Sequence, residues 1–167
     1  PEMVRLAEKF GPDDACFVPE RREELTTEGG LDVIAHKAKV NEAVKRLEEH
    51  AIRVSLFVDP ETSQIEASRE AGAHGVELHT GPYCDLSGDR SKELEKIAAA
   101  ASLARRLGLE VHGGHGLNYA NVLPIARISE MVELNIGHSI VARAIMVGME
   151  QAVREMKTLL IRARQGK

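Results

Sequence analysis

The sequence predicts an α/β protein made of parallel strands, and three observations carry that prediction. Short apolar, β-branched runs alternate with longer stretches of helical period; no tight hairpin turn joins successive runs; and several runs are apolar on one face and polar on the other. Alternation without hairpins implies parallel strands joined by right-handed crossovers. The strand runs are ACFVP at 15–19, VSLFVD at 54–59, GVELHT at 75–80, LEVHG at 109–113 and MVELNIG at 131–137. The helical stretches lie at 33–50, 61–71, 89–107, 119–128 and from 139 towards the C-terminus. Met3, Leu6, Ala7 and Phe10 have helical spacing and predict a further helix at the start. In the stretch 89–107, Leu94, Ile97, Ala98, Ala101 and Ala104 gather on or near one face, away from most charges. Gly72 and Gly108 stand where helices should stop.

Two architectures fit this alternation: an open doubly wound sheet and a (β/α)8 barrel. Periodicity alone favours neither. The polar strand faces point to the barrel. Glu77 and His79 oppose Val76 and Leu78; Glu133 and Asn135 oppose Val132, Leu134 and Ile136; Ser55 and Asp59 oppose Val54, Leu56 and Val58. A central strand of an open α/β sheet is apolar on both faces, whereas a barrel strand can direct polar groups into the lumen. Only five strand–helix units are visible in the 167 residues, against the eight of a barrel. The expectation is a single domain, residues 1–167, forming the C-terminal part of a (β/α)8 TIM barrel with about three N-terminal units absent.

The composition narrows the function. The chain is 43% apolar and 29% charged, enough for one sizeable core. Its net charge of -4, from 22 basic and 26 acidic residues, argues against general binding of nucleic acid or anionic membranes. A small basic pocket for a phosphorylated metabolite remains compatible with it. With Trp 0, Tyr 2 and Phe 3, the core must be aliphatic. No apolar run approaches the roughly 18 residues of a membrane span, and PEMVRLAEKFG has charges where a signal peptide is apolar. The expected location is cytoplasmic. Cys16 and Cys84 fit no metal or disulfide framework, so both thiols are expected to be free, and Cys84 is read as structural.

Barrel enzymes carry their chemistry at the C-terminal ends of the strands. Those ends hold Glu20, Asp59, Glu77 with His79, His115 and His138. Asp59 precedes Pro60 and a helix, so a capping role competes with a chemical one. Glu77, in mid-strand between Val76 and Leu78, would point into the lumen and must there be paired or solvated; a functional role is the stronger reading. Two final loops look suited to phosphate: Gly113-Gly114-His115-Gly116, and Asn135-Ile136-Gly137-His138-Ser139 at the start of a helix. Glycines let backbone N–H groups approach an anion, and a helix N-terminus adds positive potential. Barrels commonly place phosphate at the loops after strands 7 and 8, which agrees with three units lying upstream. The charged segment 19–33, PERREELTTEGGLDV, reads equally as a lid and as a surface connector.

Taken together, TTEGGLDV at 26–33, VSLFVD at 54–59, VELHTG at 76–81, GHGL at 114–117 and ELNIGH at 133–138 resemble the pyridoxine 5'-phosphate synthase family. Order and spacing also match, and the similarity runs from near residue 2 to the end. The resemblance implies a (β/α)8 barrel with extra helices, assembled as a homo-octamer. It implies condensation of 1-deoxy-D-xylulose 5-phosphate with 3-amino-2-oxopropyl phosphate to give pyridoxine 5'-phosphate, inorganic phosphate and water, with no metal or redox cofactor. By position, Glu77 matches a barrel carboxylate that stabilises charged intermediates, and His115 matches the proton donor. Thr26 matches a contact to the deoxyxylulose phosphate, and Gly116, Gly137 and His138 match the groups that hold the amino-ketone phosphate. Further bases and substrate contacts from the family's first three strands have no counterpart here. Two rival readings make different demands. A metal-dependent sugar-phosphate epimerase would ligate its metal through residues such as Asp59, His79 and His115. A truncated barrel could instead bind phosphates without turnover.

Overall fold

The computed structural model describes residues 2–19 and 29–166. Five strands form one sheet: β1 (Asp14–Phe17), β2 (Arg53–Val58), β3 (Gly75–His79), β4 (Glu110–Gly114) and β5 (Met131–Asn135). All neighbours pair in parallel, in the order β1-β2-β3-β4-β5. A doubly wound sheet reverses its strand order at a switch point; this sheet does not reverse. An unreversed run of parallel strands is the arrangement found along a barrel wall. The helices are α1 (Glu2–Phe10), α2 (Lys37–Glu48), α3 (Thr62–Glu70), α4 (Gly81–Asp85), α5 (Ser91–Arg106), α6 (Val122–Ala126), α7 (His138–Val147) and α8 (Met149–Arg164).

The two faces of the sheet differ as the alternation requires. Val54, Leu56 and Val58 of β2, Val76 and Leu78 of β3, and Val111 of β4 are fully buried, and α2, α3 and α5 pack on these strands. Helix α5 contributes Ile97, Ala100, Ala101 and Ala104 to this core. The alternate residues Ser55, Phe57, Glu77 and His112 are only half-buried. That second face carries the polar groups.

Local boundaries moved for identifiable reasons. Helix α2 begins at Lys37, preceded by turns in which the Asp32 carboxylate accepts the Ala35 N–H (3.0 Å) and the Gln64 amide (3.0 Å). The predicted helix at 119–128 shrinks to α6, because Asn118 and Asn121 divert the backbone before Val122 into side-chain hydrogen bonds. The predicted C-terminal helix breaks into α7 and α8 at Gly148, whose φ of 84° disfavours any side chain. The short α4 was not foreseen; Pro82 sits in its first turn, where a missing N–H costs nothing.

Candidate active site

The polar face of the sheet converges at the C-terminal ends of β2, β3 and β4. Glu77 leaves β3 and lays its carboxylate across Gly114 of β4: a Cβ built on Gly114 would lie 2.0 Å from Glu77 Oε1 and 3.3 Å from Asn135 Cβ. Gly114 is thus required by space rather than by backbone torsion. The Cys16 thiol lies 3.5 Å from Glu77 Oε2, and Asn135 also hydrogen-bonds the carboxyl. Burial pushes the Glu77 carboxyl above its ordinary value, with the Cys16 and Asn135 hydrogen bonds pulling the other way. Burial, aided by the Glu77 charge, likewise pushes the Cys16 thiol up to about 11, although the residue as a whole is exposed. A carboxyl that resists ionisation at the mouth of a polar face suits proton exchange and charge stabilisation.

His115 follows directly. It is a non-glycine residue at φ 81°, next to Gly116 at φ 77°. Side chains in this region are strained, and such strain persists only where neighbours over-determine it. Here α4 supplies the grip. The Thr80 hydroxyl, fully buried, is shared between the carbonyls of Gly114 (2.7 Å) and His115 (2.6 Å), and the Thr80 N–H also reaches Gly114 O (2.9 Å). The Cys84 thiol lies 3.5 Å from His115 O. A Cβ on Gly116 would meet Cys84 Cβ at 2.7 Å. Asn121, buried, donates to Gly116 O (3.2 Å), and its own carbonyl accepts the Tyr83 hydroxyl (2.8 Å). The turn is therefore held from two sides, with Cys84 packed against one of them.

Asp59 turns out not to cap a helix. The N-cap of α3 is Glu61, and the Asp59 Oδ1 instead accepts from His79 Nδ1 (2.9 Å) and from the Gly30 N–H (3.2 Å). The His79 bond holds the Asp59 carboxyl below its ordinary range. His79 is 3% exposed, and its ring packs edge-on against Phe57 and His115, with centroids 5.1 Å apart in each pair.

The other expected loop sits beside this cluster. Gly114 pairs with Asn135 in the sheet, and Ser139 Oγ donates to Leu117 O (2.9 Å), tying the turn after β4 to the start of α7. Gly137 precedes α7, His138 opens it, and both are exposed. Among the described residues, no atom outside its chain neighbours lies within 4 Å of a Cβ built on Gly137, so they leave the approach to this helix N-terminus open. The fold thus gathers Glu77, His115 and Gly116 and ties their turn to the loop of Gly137 and His138. Thr26 lies outside the described residues, as do Glu20, Arg21 and Arg22. Sequence reasoning missed Thr80 and Asn121, and it gave His79 no partner; the dipeptide His79-Thr80 between a strand and Gly81-Pro82 was the available signal. Among the described residues, no group of three or more His, Cys, Asp or Glu side chains is arranged to hold a metal ion.

Comparison with known proteins gives a consistent answer. Residues 1–162 match the family described as pyridoxal phosphate biosynthesis protein PdxJ. The chain is 58% identical over 160 residues to the pyridoxine 5'-phosphate synthase of Parasynechococcus marenigrum (strain WH8102), covering 95% of this chain and 64% of that protein. It is 55% identical over 160 residues to the pyridoxine 5'-phosphate synthase of Magnetococcus marinus (strain ATCC BAA-1437 / JCM 17883 / MC-1), covering 95% of this chain and 66% of that protein. The chain therefore spans about two-thirds of the length of these relatives. Its fold is similar to that of a chain in the crystal structure of the Amycolatopsis orientalis BexX/CysO complex, with TM-score 0.57 and 17% identity over 98% of this chain and 64% of that one. On the family match and these two identities, the chain belongs to the PdxJ family of pyridoxal phosphate biosynthesis proteins.

Proposed function

We propose that the complete protein carrying this chain is a pyridoxine 5'-phosphate synthase, condensing 1-deoxy-D-xylulose 5-phosphate with 3-amino-2-oxopropyl phosphate in the cytoplasm. The observation that carries the reading is the packing of the Glu77 carboxylate over Gly114, one residue before the strained His115. Ring closure needs imine formation, enolisation, dehydration and phosphate loss, and each requires proton transfer. In this reading Glu77 stabilises the charged intermediates and His115 donates a proton to a leaving oxygen. Gly116, Gly137 and His138 hold the phosphate of the amino-ketone, supported by the open N-terminus of the ten-residue helix α7. Thr26 contacts the deoxyxylulose phosphate. No cofactor is assigned.

The same reading makes the five-stranded arc the last five units of a closed (β/α)8 barrel. Its support is the half-buried polar face and the unpaired outer sides of β1 and β5 among the described residues. Val141, Ile145 and Met146 of α7 and Met149 and Val153 of α8 are exposed, a face that further protein would cover, which fits a homo-octamer.

The test is His115→Ala in the complete protein. Product formation should fall by about 10²–10⁴-fold, the usual contribution of a general acid or base, while binding of both phosphates is retained. Unchanged turnover would remove His115 from the mechanism. Activity abolished by a chelator would favour the metal-dependent epimerase reading instead.

A further inference from the structure

Asp59 and His79 have no role in the reading above, yet they form a hydrogen-bonded pair at the site whose histidine is buried. His79 is 3% exposed, and the Asp59 carboxylate, which only accepts, fixes the proton on Nδ1. The other ring nitrogen, Nε2, is a buried side-chain atom with no hydrogen-bond partner among the described residues. Burial of an unpartnered nitrogen is costly, so the orientation needs a reason.

That reason lies in what the ring touches. Nε2 faces Gly81, where an added Cβ would meet it at 2.5 Å and would meet His115 Cδ2 at 3.1 Å. The two imidazoles therefore converge on the same glycine, edge to face, at 5.1 Å and 66°. Phe57 closes the other side, 5.1 Å from the His79 ring and 6.5 Å from the His115 ring. The His115 backbone is held by Thr80, as described, but its ring direction is bounded by His79. Asp59 in turn holds the His79 ring and takes the Gly30 N–H on the same oxygen. Gly30 is itself pressed on β2: a Cβ there would lie 2.3 Å from Asp59 N.

We infer that Asp59 and His79 are positioning residues that set the orientation of the His115 imidazole for proton transfer. The assignment rests on the proposed role of His115 in the synthase reaction. It works through packing: the Asp59–His79 hydrogen bond stops the buried ring from rotating, and the fixed ring edge limits the rotamers open to His115. Neither residue needs to touch substrate.

The experiment uses the complete protein and the variants Asp59→Asn and His79→Phe. The Asp59 side chain is 43% exposed, so Asp59→Asn is expected to fold even if the buried His79→Phe does not. Steady-state kinetics should show kcat lowered by about 10- to 100-fold, the scale of an ångström-size misplacement, with KM for both phosphates within about twofold. The ring carbon–proton NMR signal of His115, assigned by its loss in His115→Ala, should shift in Asp59→Asn without substrate present. Full kcat in Asp59→Asn overturns the inference. Lost kcat with an unmoved His115 signal also overturns it, since the effect would then act elsewhere. Should the unsubstituted protein make no pyridoxine 5'-phosphate while the His115 signal still moves, the synthase reading falls and the structural coupling stands.

Discussion

Replacing Gly114 by alanine tests the central geometry without touching a titratable group. The new methyl would stand 2.0 Å from Glu77 Oε1 and 3.1 Å from its Cδ. Ordinary contact is about 3.5 Å, so the carboxylate must retreat by about 1.5 Å. The obstructing atom is the end of a flexible side chain, and the strand need not move. We expect destabilisation of about 1–3 kcal/mol, the usual cost of overpacking. The Glu77 contacts to Cys16 and Asn135 would be lost, and turnover should fall by about 10²-fold. Pyridoxine 5'-phosphate formation at saturating substrates and urea unfolding measure the two effects. In the double variant Gly114→Ala with Glu77→Ala the obstruction is gone, so the stability losses should be strongly non-additive. A Gly114→Ala protein with the parent rate, or additive losses in the double variant, would refute the placement of Glu77 over Gly114.

Two further expectations follow from the same residues. Because burial raises the Glu77 carboxyl above its ordinary 4.5, the folded state holds that proton more tightly than the unfolded state; its stabilising contribution is present at low pH and is lost as pH rises through the folded value. Glu77→Gln should therefore gain stability relative to the parent as urea unfolding is repeated from about pH 4 to about pH 7, and a constant difference would contradict this. At His115, φ 81° favours glycine, so His115→Gly should be about 1 kcal/mol more stable than His115→Ala while both lose turnover; equal stabilities would show that the turn carries no strain.

Fold class and the floor of the site were legible because they depend on period-two alternation. Val76 and Leu78 had to face one way and Glu77 and His79 the other once 75–79 was a strand, whatever it paired with. Parallel pairing was equally accessible, since no turn between runs is short enough for a hairpin. The glycine-rich turns after β4 and β5 were legible through composition, and family membership through motif order.

Other features depend on contacts between residues far apart in the chain, and no local pattern encodes them. Asp59 and Pro60 look like a helix start; only the parallel registers of β2 and β3 bring Asp59 to His79, 20 residues away. Gly114 looks like a turn glycine, yet its need for a bare Cα comes from Glu77 on the neighbouring strand. Thr80 is the N-cap residue of α4 by position, yet its hydroxyl makes no capping bond and serves carbonyls 34 and 35 residues later. Strand order is likewise hidden from local pattern, because order is a property of pairing across the whole chain. Local periodicity thus determined which faces are polar, and tertiary pairing determined which of those polar groups meet.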